Sequence, residues 1–541
     1  MRTPIAVFLV ASTLAASAAM GQWTIDPAVN TPVYVGGGDQ GTPVLKPTPD
    51  GGAWISYTDN GAGSGYKHAV QRLDAAGNRQ LGPGGVTINS RTNTATFVYD
   101  MDVDADGAAL VAYDNSGIWI QKVNPDGSMP WGVEGVFMAG SAGAVGPRVC
   151  ALTDGSAVVV WAQSNILNFR RVSAEGVVGS TWTLAETGRA QSPSDLLSTG
   201  SGGEFILLWI RAEGTNMVTS RKGLKIQKWD GADVPQWNGG VAVDAYASSA
   251  TPGRGIQNGY FPQVVSDGAG GAVVSWYDTG ADRNAWVQHY SGSGVARFAA
   301  NGLAASATTS ATEFRLSSAV AYDATSDTYT VAYERSNAVQ SLFGVGAQKL
   351  SGAGVRLWTE AGREVLPIAG FHASFINVNG APSGDSIVTW LQYTGTNSPM
   401  EVHSTRLSSE DGAAVWAPAT LGVSTGATTK GRLAVINTAG SDMLIAAWAD
   451  GASGAADILA QNINANGTTG PSGPACDAID FNNDGLFPDT ADIDDFLSVF
   501  SGGPCSNDPN CGDVDFNNDG LFPDTQDIDS LLSVFSGGPC L

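Results

Sequence analysis

Beyond roughly its first twenty residues the chain has no apolar run approaching the about 20 residues that a membrane-spanning helix needs. The mature protein is therefore expected to be soluble. Charge is scarce and lopsided: charged residues make up 14% of the sequence, with 27 Lys and Arg against 51 Asp and Glu. No basic surface that would track a nucleic-acid backbone is implied. The only four histidines, His68, His289, His372 and His403, are scattered without metal-ligand spacing and read as strand or loop residues. No G-x-S-x-G elbow, phosphate-binding P-loop or H-E-x-x-H pair is present, which removes the commonest signatures of hydrolase, nucleotide and zinc-protease chemistry.

Cysteine is also rare, and its placement is informative. Of five cysteines, only Cys150 lies outside the last 66 residues; it sits in the strand-like run Arg148-Val149-Cys150-Ala151-Leu152 and reads as a buried small apolar residue. From Cys476 onward there are fourteen Asp and no Lys, Arg or Glu. Removing those fourteen charges from the whole-chain balance of -24 leaves about -10 for the rest. Such an acidic block repels itself unless cations neutralise it.

That block is one 35-residue unit written twice. Asp480-Phe481-Asn482-Asn483-Asp484-Gly485-Leu486-Phe487-Pro488-Asp489-Thr490 recurs from Asp515 to Thr525, and each copy ends in Ser-Gly-Gly-Pro-Cys. Oxygen-bearing side chains spaced D-x-N-x-D-G suit a hard cation, because alternate residues turn inward while glycine allows the bend between them. Calcium is the natural reading. Each loop runs into an amphipathic stretch, with Ile493, Phe496, Leu497 and Phe500 in the first copy and Ile528, Leu531, Leu532 and Phe535 in the second.

The segment resembles a dockerin, the paired-calcium-loop module that docks secreted proteins onto a cohesin partner, and more closely the Gly/Cys-ended dockerin-like tails of some environmental bacteria. With Asp480 as position one, position twelve holds Ala491, and Gln526 in copy two, where the family has a carboxylate. The carboxylate comes one residue late, at Asp492 and Asp527, as in a loop one residue longer, with Pro488-Asp489 and Pro523-Asp524 absorbing the insertion. The resemblance implies two calcium sites. Their ligands are Asp480, Asn482, Asp484, the Leu486 carbonyl and Asp492, matched by Asp515, Asn517, Asp519, the Leu521 carbonyl and Asp527, with Asp489 and Asp524 as additional ligands. It also implies a cohesin-like or cell-surface protein partner.

The cysteines follow the same period, Cys476 matching Cys511 and Cys505 matching Cys540. Of the three connectivities that four cysteines allow, Cys476 with Cys505 and Cys511 with Cys540 is favoured; a clasp from Cys476 to Cys540 also respects the duplication. Zinc is disfavoured because no C-x-x-C spacing occurs and no histidine lies nearby. The N-terminus, Arg2 followed by an apolar run from Ile5 to Leu14 and small residues through Gly21, has the length and flanks of a signal peptide cleaved near Ala19 or Gly21. A secreted or cell-surface location follows as the expectation.

Between these ends, many short alternating runs and turn signals point to an all-β protein, and a repeat organises it. An apolar strand ending in Trp or Tyr recurs eight times, at Tyr57, Tyr113, Trp161, Trp209, Trp276, Tyr333, Trp390 and Trp448. These are spaced 56, 48, 48, 67, 57, 57 and 58 residues apart. Six units carry a glutamine downstream, at Gln71, Gln121, Gln227, Gln288, Gln348 and Gln461; Arg170 and Thr405 stand near that place in the other two. The glutamine is expected to satisfy backbone groups between blades rather than line a channel. Repeats whose strands cannot bury both faces alone stack around an axis, so the fold is expected to be an eight-bladed β-propeller. A seven-bladed ring, with an insertion in the long fourth interval, is the alternative. The last unit lacks a fourth strand, and Trp23-Thr24-Ile25 or Val33-Tyr34-Val35 can supply it, closing the ring.

The domain reading is a signal peptide over 1–21, a propeller over 22–468, a linker over 469–475 and the dockerin-like unit over 476–541. Asp106-Gly107, Asp154-Gly155 and Asp267-Gly268 are explained by turn geometry, and Ser266-Asp267-Gly268 lacks the tryptophan spacing of a sialidase Asp-box. Most aromatic residues fall at the repeated strand end and read as core; Trp119, Trp286 and Trp358 are the candidates for ligand contact. No catalytic residue is assigned. The reading is a binding or structural protein whose propeller presents an interaction surface for a protein or glycan. The alternative is a polysaccharide-degrading, glycoside hydrolase-like enzyme carried by a docking module.

Overall fold

The computed structural model describes residues 23–535 except 62, 64, 93–97, 141–142, 249–252, 309–311, 396–397, 472–475, 487–488, 508, 510 and 518–523. The expected signal peptide, Asp519, Leu521 and Cys540 lie outside the described residues. Eight four-stranded antiparallel sheets form the blades of a propeller. Strands are called a to d from the channel outward. The a strands of blades 1 to 8 are Gln40–Pro47, Asp100–Val103, Val145–Ala151, Gln191–Ser198, Val264–Ser266, Glu313–Asp323, His372–Gly380 and Lys430–Asn437. Each touches the next around a closed ring, the last returning to the first.

The closure is the one anticipated from the chain ends. Blade 8 takes strands a to c from the C-terminal side and strand d, Thr31–Tyr34, from the N-terminus, with Thr31 opposite Ala460 and Tyr34 opposite Ile458. Ring closure leaves no exposed sheet edge between first and last blade.

Strand b of each blade is sandwiched between two neighbouring blades, which is why it reads as a nearly unbroken apolar run. In blade 3, Val159 and Trp161 pack with Leu110 and Ile120 of blade 2, whereas Val158 and Val160 pack with Phe205 and Leu207 of blade 4. All eight repeated aromatic residues at the strand b ends are buried, none more than 1% exposed. They are core, as expected.

The repeated glutamine satisfies backbone, but chiefly within its own blade rather than between blades. Gln71 donates from Nε2 to the Gly82 carbonyl at 2.7 Å while its Oε1 accepts from the Arg72 and Leu81 amides. Gln121, Gln227, Gln288 and Gln348 reach the same c-to-d loop. The reason is reach: strand c lies next to that loop, and the fully buried amide finds the loop's orphan carbonyl about ten residues downstream. In the two exceptional blades Arg170 binds Thr181 Oγ1 at 2.5 Å, and Thr405 Oγ1 donates to the Ala419 carbonyl at 2.6 Å. Thr405 keeps the role, whereas Arg170 reaches a loop side chain and the Met138 carbonyl of blade 2.

After Gly470 the chain reaches the duplicated segment, where helices α1 (Thr490–Phe500) and α2 (Thr525–Phe535) pack around a small shared core of Phe481, Phe496, Phe516 and Leu531. Two reciprocal hydrogen bonds, Asp477 N to the Phe516 carbonyl and Gly512 N to the Phe481 carbonyl, relate the copies by their 35-residue offset. Leu497 and Leu532, expected on the buried stripe, are instead 43% and 46% exposed. The four-residue core is too small to take both rows of leucines. The favoured Cys476–Cys505 bridge does not form, since Cys505 joins Cys511, with Cα atoms 6.4 Å apart. These cysteines flank the short segment linking the copies, so closing that link is the local solution. Cys150 is free and buried, and no described helix is long and apolar enough to cross a membrane.

Candidate functional site

The a strands end at the channel mouth with a recurring irregularity. Register slips between Gly41 and Val44, Val145 and Arg148, Leu316 and Ala319, Ser374 and Asn377, and Gly431 and Ala434. Each slip encloses one left-handed residue: Thr42 (φ 48°), Gly146 (63°), Ser317 (45°), Phe375 (50°) and Arg432 (57°). A bulge re-aims the side chains beside it, and a non-glycine residue held at positive φ costs on the order of 1–3 kcal/mol and tends to occur where a site is being shaped.

Three of these residues, Thr42, Phe375 and Arg432, line a cavity of about 470 Å³ together with Tyr99, Asp100, Arg148, Asp195, Phe261 and Gln263, so that seven blades contribute to it. Asp100 accepts from the Val149 amide at 3.1 Å and Asp195 from the Val264 amide at 2.9 Å. Deeper in the ring Asp102 accepts from the Ala151 amide at 2.9 Å and pairs with Lys46 at 3.4 Å. These carboxylates therefore stitch one a strand to that of the adjacent blade. Burial, then the neighbouring Asp100, pushes Asp195 up to about 6. Burial likewise raises Asp100 against the opposing pull of Arg148 and Lys46. Arg148 donates from Nε to the Ser194 carbonyl at 2.7 Å.

A second cluster spans blades 5 and 6. His289 Nε2 lies 3.1 Å from Asp267 Oδ2 and its Nδ1 lies 2.6 Å from the Tyr329 hydroxyl, which also receives Arg297 at 2.9 Å; Arg297 in turn pairs with both oxygens of Asp327. Burial pushes the Tyr329 phenol up to about 12, so the phenol keeps its proton at neutral pH. With Tyr329 fully buried, this chain is a strut between blades rather than an exposed nucleophile. Its signal in the sequence was faint: Asp267 looked like an ordinary turn residue, and His289 merely follows Gln288.

A larger cavity, about 710 Å³, lies on the opposite face among the a-to-b turns of blades 6 to 8. Its polar groups are already engaged with one another, Ser326 with Asp323 at 2.6 Å, Asn437 with the Gly380 carbonyl at 2.8 Å and Lys349 with the Gly384 carbonyl. The mouth, by contrast, leaves Phe261 and Phe375 38% and 39% exposed and Arg432 exposed. None of the three tryptophans singled out from the sequence reaches it. Trp119 packs at a tilt against Phe137 beneath Arg91, Trp286 packs on the core between blades 4 and 5, and Trp358 covers Gly412 of the next blade. The other histidines do not converge either: His68 is buried, His372 stacks on Tyr393, and His403 stacks on Trp390.

In the tail the first acidic loop is folded on its own carboxylates. Asp480 accepts from the Asp484 and Gly485 amides at 3.0 and 2.9 Å, and Asp484 from the Leu486 amide at 2.8 Å. Asp489 caps α1, and Asp492, fully buried, accepts from the Asp489 and Asn482 amides at 3.1 and 3.5 Å. The second copy repeats this: Asp524 caps toward Gln526, and Asp527, 1% exposed, accepts from the Asp524 and Asn517 amides. Asp515 lies in the same turn as Asn517. Among the described residues no group of three or more His, Cys, Asp and Glu side chains is arranged to hold a metal ion. The donors that are present are all oxygen, and three buried carboxylates, Asp492, Asp495 and Asp527, sit in a segment without a single basic residue; that chemistry fits a hard cation.

No protein-family model matches the chain, and no curated protein matches it. Solved structures do. The chain is similar to a protein of unknown function from Dyadobacter fermentans, at 7% identity and TM-score 0.37, covering 81% of this chain and 98% of that one. It is similar to an ulvan lyase of a new polysaccharide lyase family, at 10% identity and TM-score 0.43, covering 84% and 98%. An endo-arabinase from Bacteroides thetaiotaomicron matches at 13% identity and TM-score 0.29, covering 48% and 88%. The likeness is one of fold alone.

Proposed function

We propose that this is a secreted or cell-surface binding protein whose propeller receives its ligand at the channel mouth and whose tail attaches it to a protein partner. The observation that carries the binding reading is the state of the mouth carboxylates. Asp100 and Asp195 each hold a backbone amide of the a-strand ring, so their displacement for chemistry would loosen the ring. Exposed phenyl rings beside polar groups offer a contact surface instead.

For the tail the proposal is calcium binding at two loops: Asp480, Asn482, Asp484, the Leu486 carbonyl, Asp489 and Asp492 in the first, and Asp515, Asn517, Asp519, the Leu521 carbonyl, Asp524 and Asp527 in the second. The ions would neutralise buried charge. Leu497 and Leu532, exposed at equivalent positions of the two helices, provide apolar contact for a cohesin-like partner.

One observation favours the enzyme reading: Asp195, held near 6 beside Asp100, has the character of a general acid. The two readings separate on one set of samples. The full chain is incubated with a panel of polysaccharides, and bound polymer and released reducing or unsaturated ends are both measured. Saturable binding without product supports the binding protein; catalytic release of product that disappears in Asp195→Asn would establish the enzyme.

A further inference from the structure

We propose that the channel mouth selects a glycan bearing oxyanions, carboxylate or sulfate, and that Arg432 is the residue that reads the charge. This rests on the mouth being the ligand site.

The inference starts from what each charge at the mouth is doing. Arg148 is committed: its Nε and Nη1 donate to the Ser194 and Pro147 carbonyls, and its charge favours ionisation of Asp100 and Asp195 against burial. The two acids are held by backbone amides. Arg432 is different. It is exposed, it lines the same cavity, and among the described residues no carboxylate pairs with it. In a chain of net charge -24 most described arginines pair with a carboxylate, as Arg171, Arg211, Arg335 and Arg406 do, whereas Arg432 at the mouth keeps its guanidinium free of one.

Its position is also built rather than incidental. Arg432 has φ of 57° inside the strand a bulge of blade 8. Lys430 opposite Asp450 and Ala434 opposite Ala447 fix the strand on either side of it, and the adjacent Leu433 is buried. The bulge that recurs in the a strands therefore fixes where the guanidinium starts at the mouth. Such a planar fork matches carboxylate and sulfate geometry.

The rest of the mouth points to a sugar as carrier of that anion. Phe375, left-handed like Arg432, and Phe261 are 39% and 38% exposed, the latter with the Arg148 guanidinium on one side of its ring, and Gln263 lines the same cavity as a polar group. Flat apolar faces alternating with hydrogen-bonding groups suit a pyranose chain, whose C–H faces stack while its hydroxyls bond.

The test uses the full chain with three polymers: polygalacturonate, a sulfated galactan and an uncharged galactan. Two variants suit the backbone, Arg432→Gly, which accepts positive φ without strain, and Arg432→Asn, the uncharged residue best tolerated there. Arg221→Ala, at an exposed arginine that does not line the cavity, is the control. The expected result is binding of at least one charged polymer tenfold or more tighter than of the uncharged galactan, with that advantage lost in both Arg432 variants at unchanged Tm and kept in Arg221→Ala. Equal binding of charged and uncharged polymers, or an advantage that survives in both Arg432 variants, overturns the proposal while leaving the mouth as a glycan site. Binding of none of the three overturns the proposal together with the glycan reading of the mouth.

Discussion

Gln461, in the last blade, donates its side-chain amide to the Thr24 carbonyl at 2.7 Å across 437 residues of chain. In the other glutamine blades the equivalent amide meets the loop that leads to the blade's own fourth strand, so Thr24 stands where that loop would be. Asn30 and the Thr24 hydroxyl complete the contact on Gln461 Oε1. Gln461→Ala removes the side-chain donor from the Thr24 carbonyl and the acceptor shared by Asn30 and the Thr24 hydroxyl, and is expected to cost about 1–3 kcal/mol, read as a lower urea midpoint. Removing residues 23–35 opens the blade altogether. That deletion is expected to produce association through the bared Asp457–Ile463 edge, visible as a shift to larger species on size-exclusion chromatography.

Turn glycines divide into two classes. At Gly77 (φ 85°) an added Cβ would sit 2.7 Å from Trp23 Cδ2, because the N-terminal Trp23 ring lies flat on this turn; at Gly155 (φ 83°) it would meet nothing within 4 Å. Both alanine variants carry the left-handed penalty, but only the first also displaces a packed ring. Gly155→Ala is expected to lose on the order of 1 kcal/mol and Gly77→Ala about 2–4 kcal/mol. Equal losses in chemical denaturation would remove the interlock.

His68 carries a pH-dependent term. Burial pulls its pKa from the ordinary 6.5 down to about 4, and neither ring nitrogen has a hydrogen-bond partner among the described residues. Between pH 6.5 and 4 the unfolded chain therefore binds a proton that the folded chain does not, so stability rises with pH across this window. It is fully present above pH 6.5 and is lost as pH falls toward 4, by up to about 3 kcal/mol. His68→Phe, which keeps the ring contacts with Tyr99 and Tyr113, is expected to flatten that part of the stability profile. An unchanged slope in the variant would assign the pH dependence to other groups.

Glu334 gives the opposite slope. Burial raises it to about 8, so the folded state holds a proton that the unfolded state releases between the ordinary glutamate value and pH 8, and stability falls as pH rises through this range. Glu334→Gln is expected to be neutral near pH 5 and stabilising at pH 8 and above, measured as Tm against pH.

Calcium added to the full chain is expected to bind at two sites, with Asp492→Asn and Asp527→Asn each removing one. The uptake should be accompanied by a higher melting temperature for the tail, since an ion that binds only the folded form stabilises it by mass action. Titration calorimetry and melting with and without chelator check this. A melting profile indifferent to both would remove the calcium assignment.

The blades were legible because their signal sits in buried positions repeated eight times. A strand such as Val158-Val159-Val160-Trp161 must satisfy two neighbouring blades at once, and that double burial leaves an unmistakable apolar run. The partner of the glutamine was not legible, since a loop carbonyl about ten residues away leaves no side-chain signature. The mouth was invisible for a related reason. Thr42, Gly146, Ser317, Phe375 and Arg432 share a backbone conformation but no residue type, and a bulge in a repeat is a feature of geometry. The tail cysteines misled because their 35-residue period suggested one bridge per copy, whereas the short link between copies brings Cys505 and Cys511 together.

The most direct test of where this propeller meets its ligand is a crystal structure of the full chain with an oligosaccharide fragment of whichever polymer it retains. The account predicts the fragment at the channel mouth, with an acidic group on Arg432 and a sugar face against Phe375 or Phe261. A fragment seated instead on the opposite face, among the a-to-b turns near Tyr322 and Ser383, would contradict it.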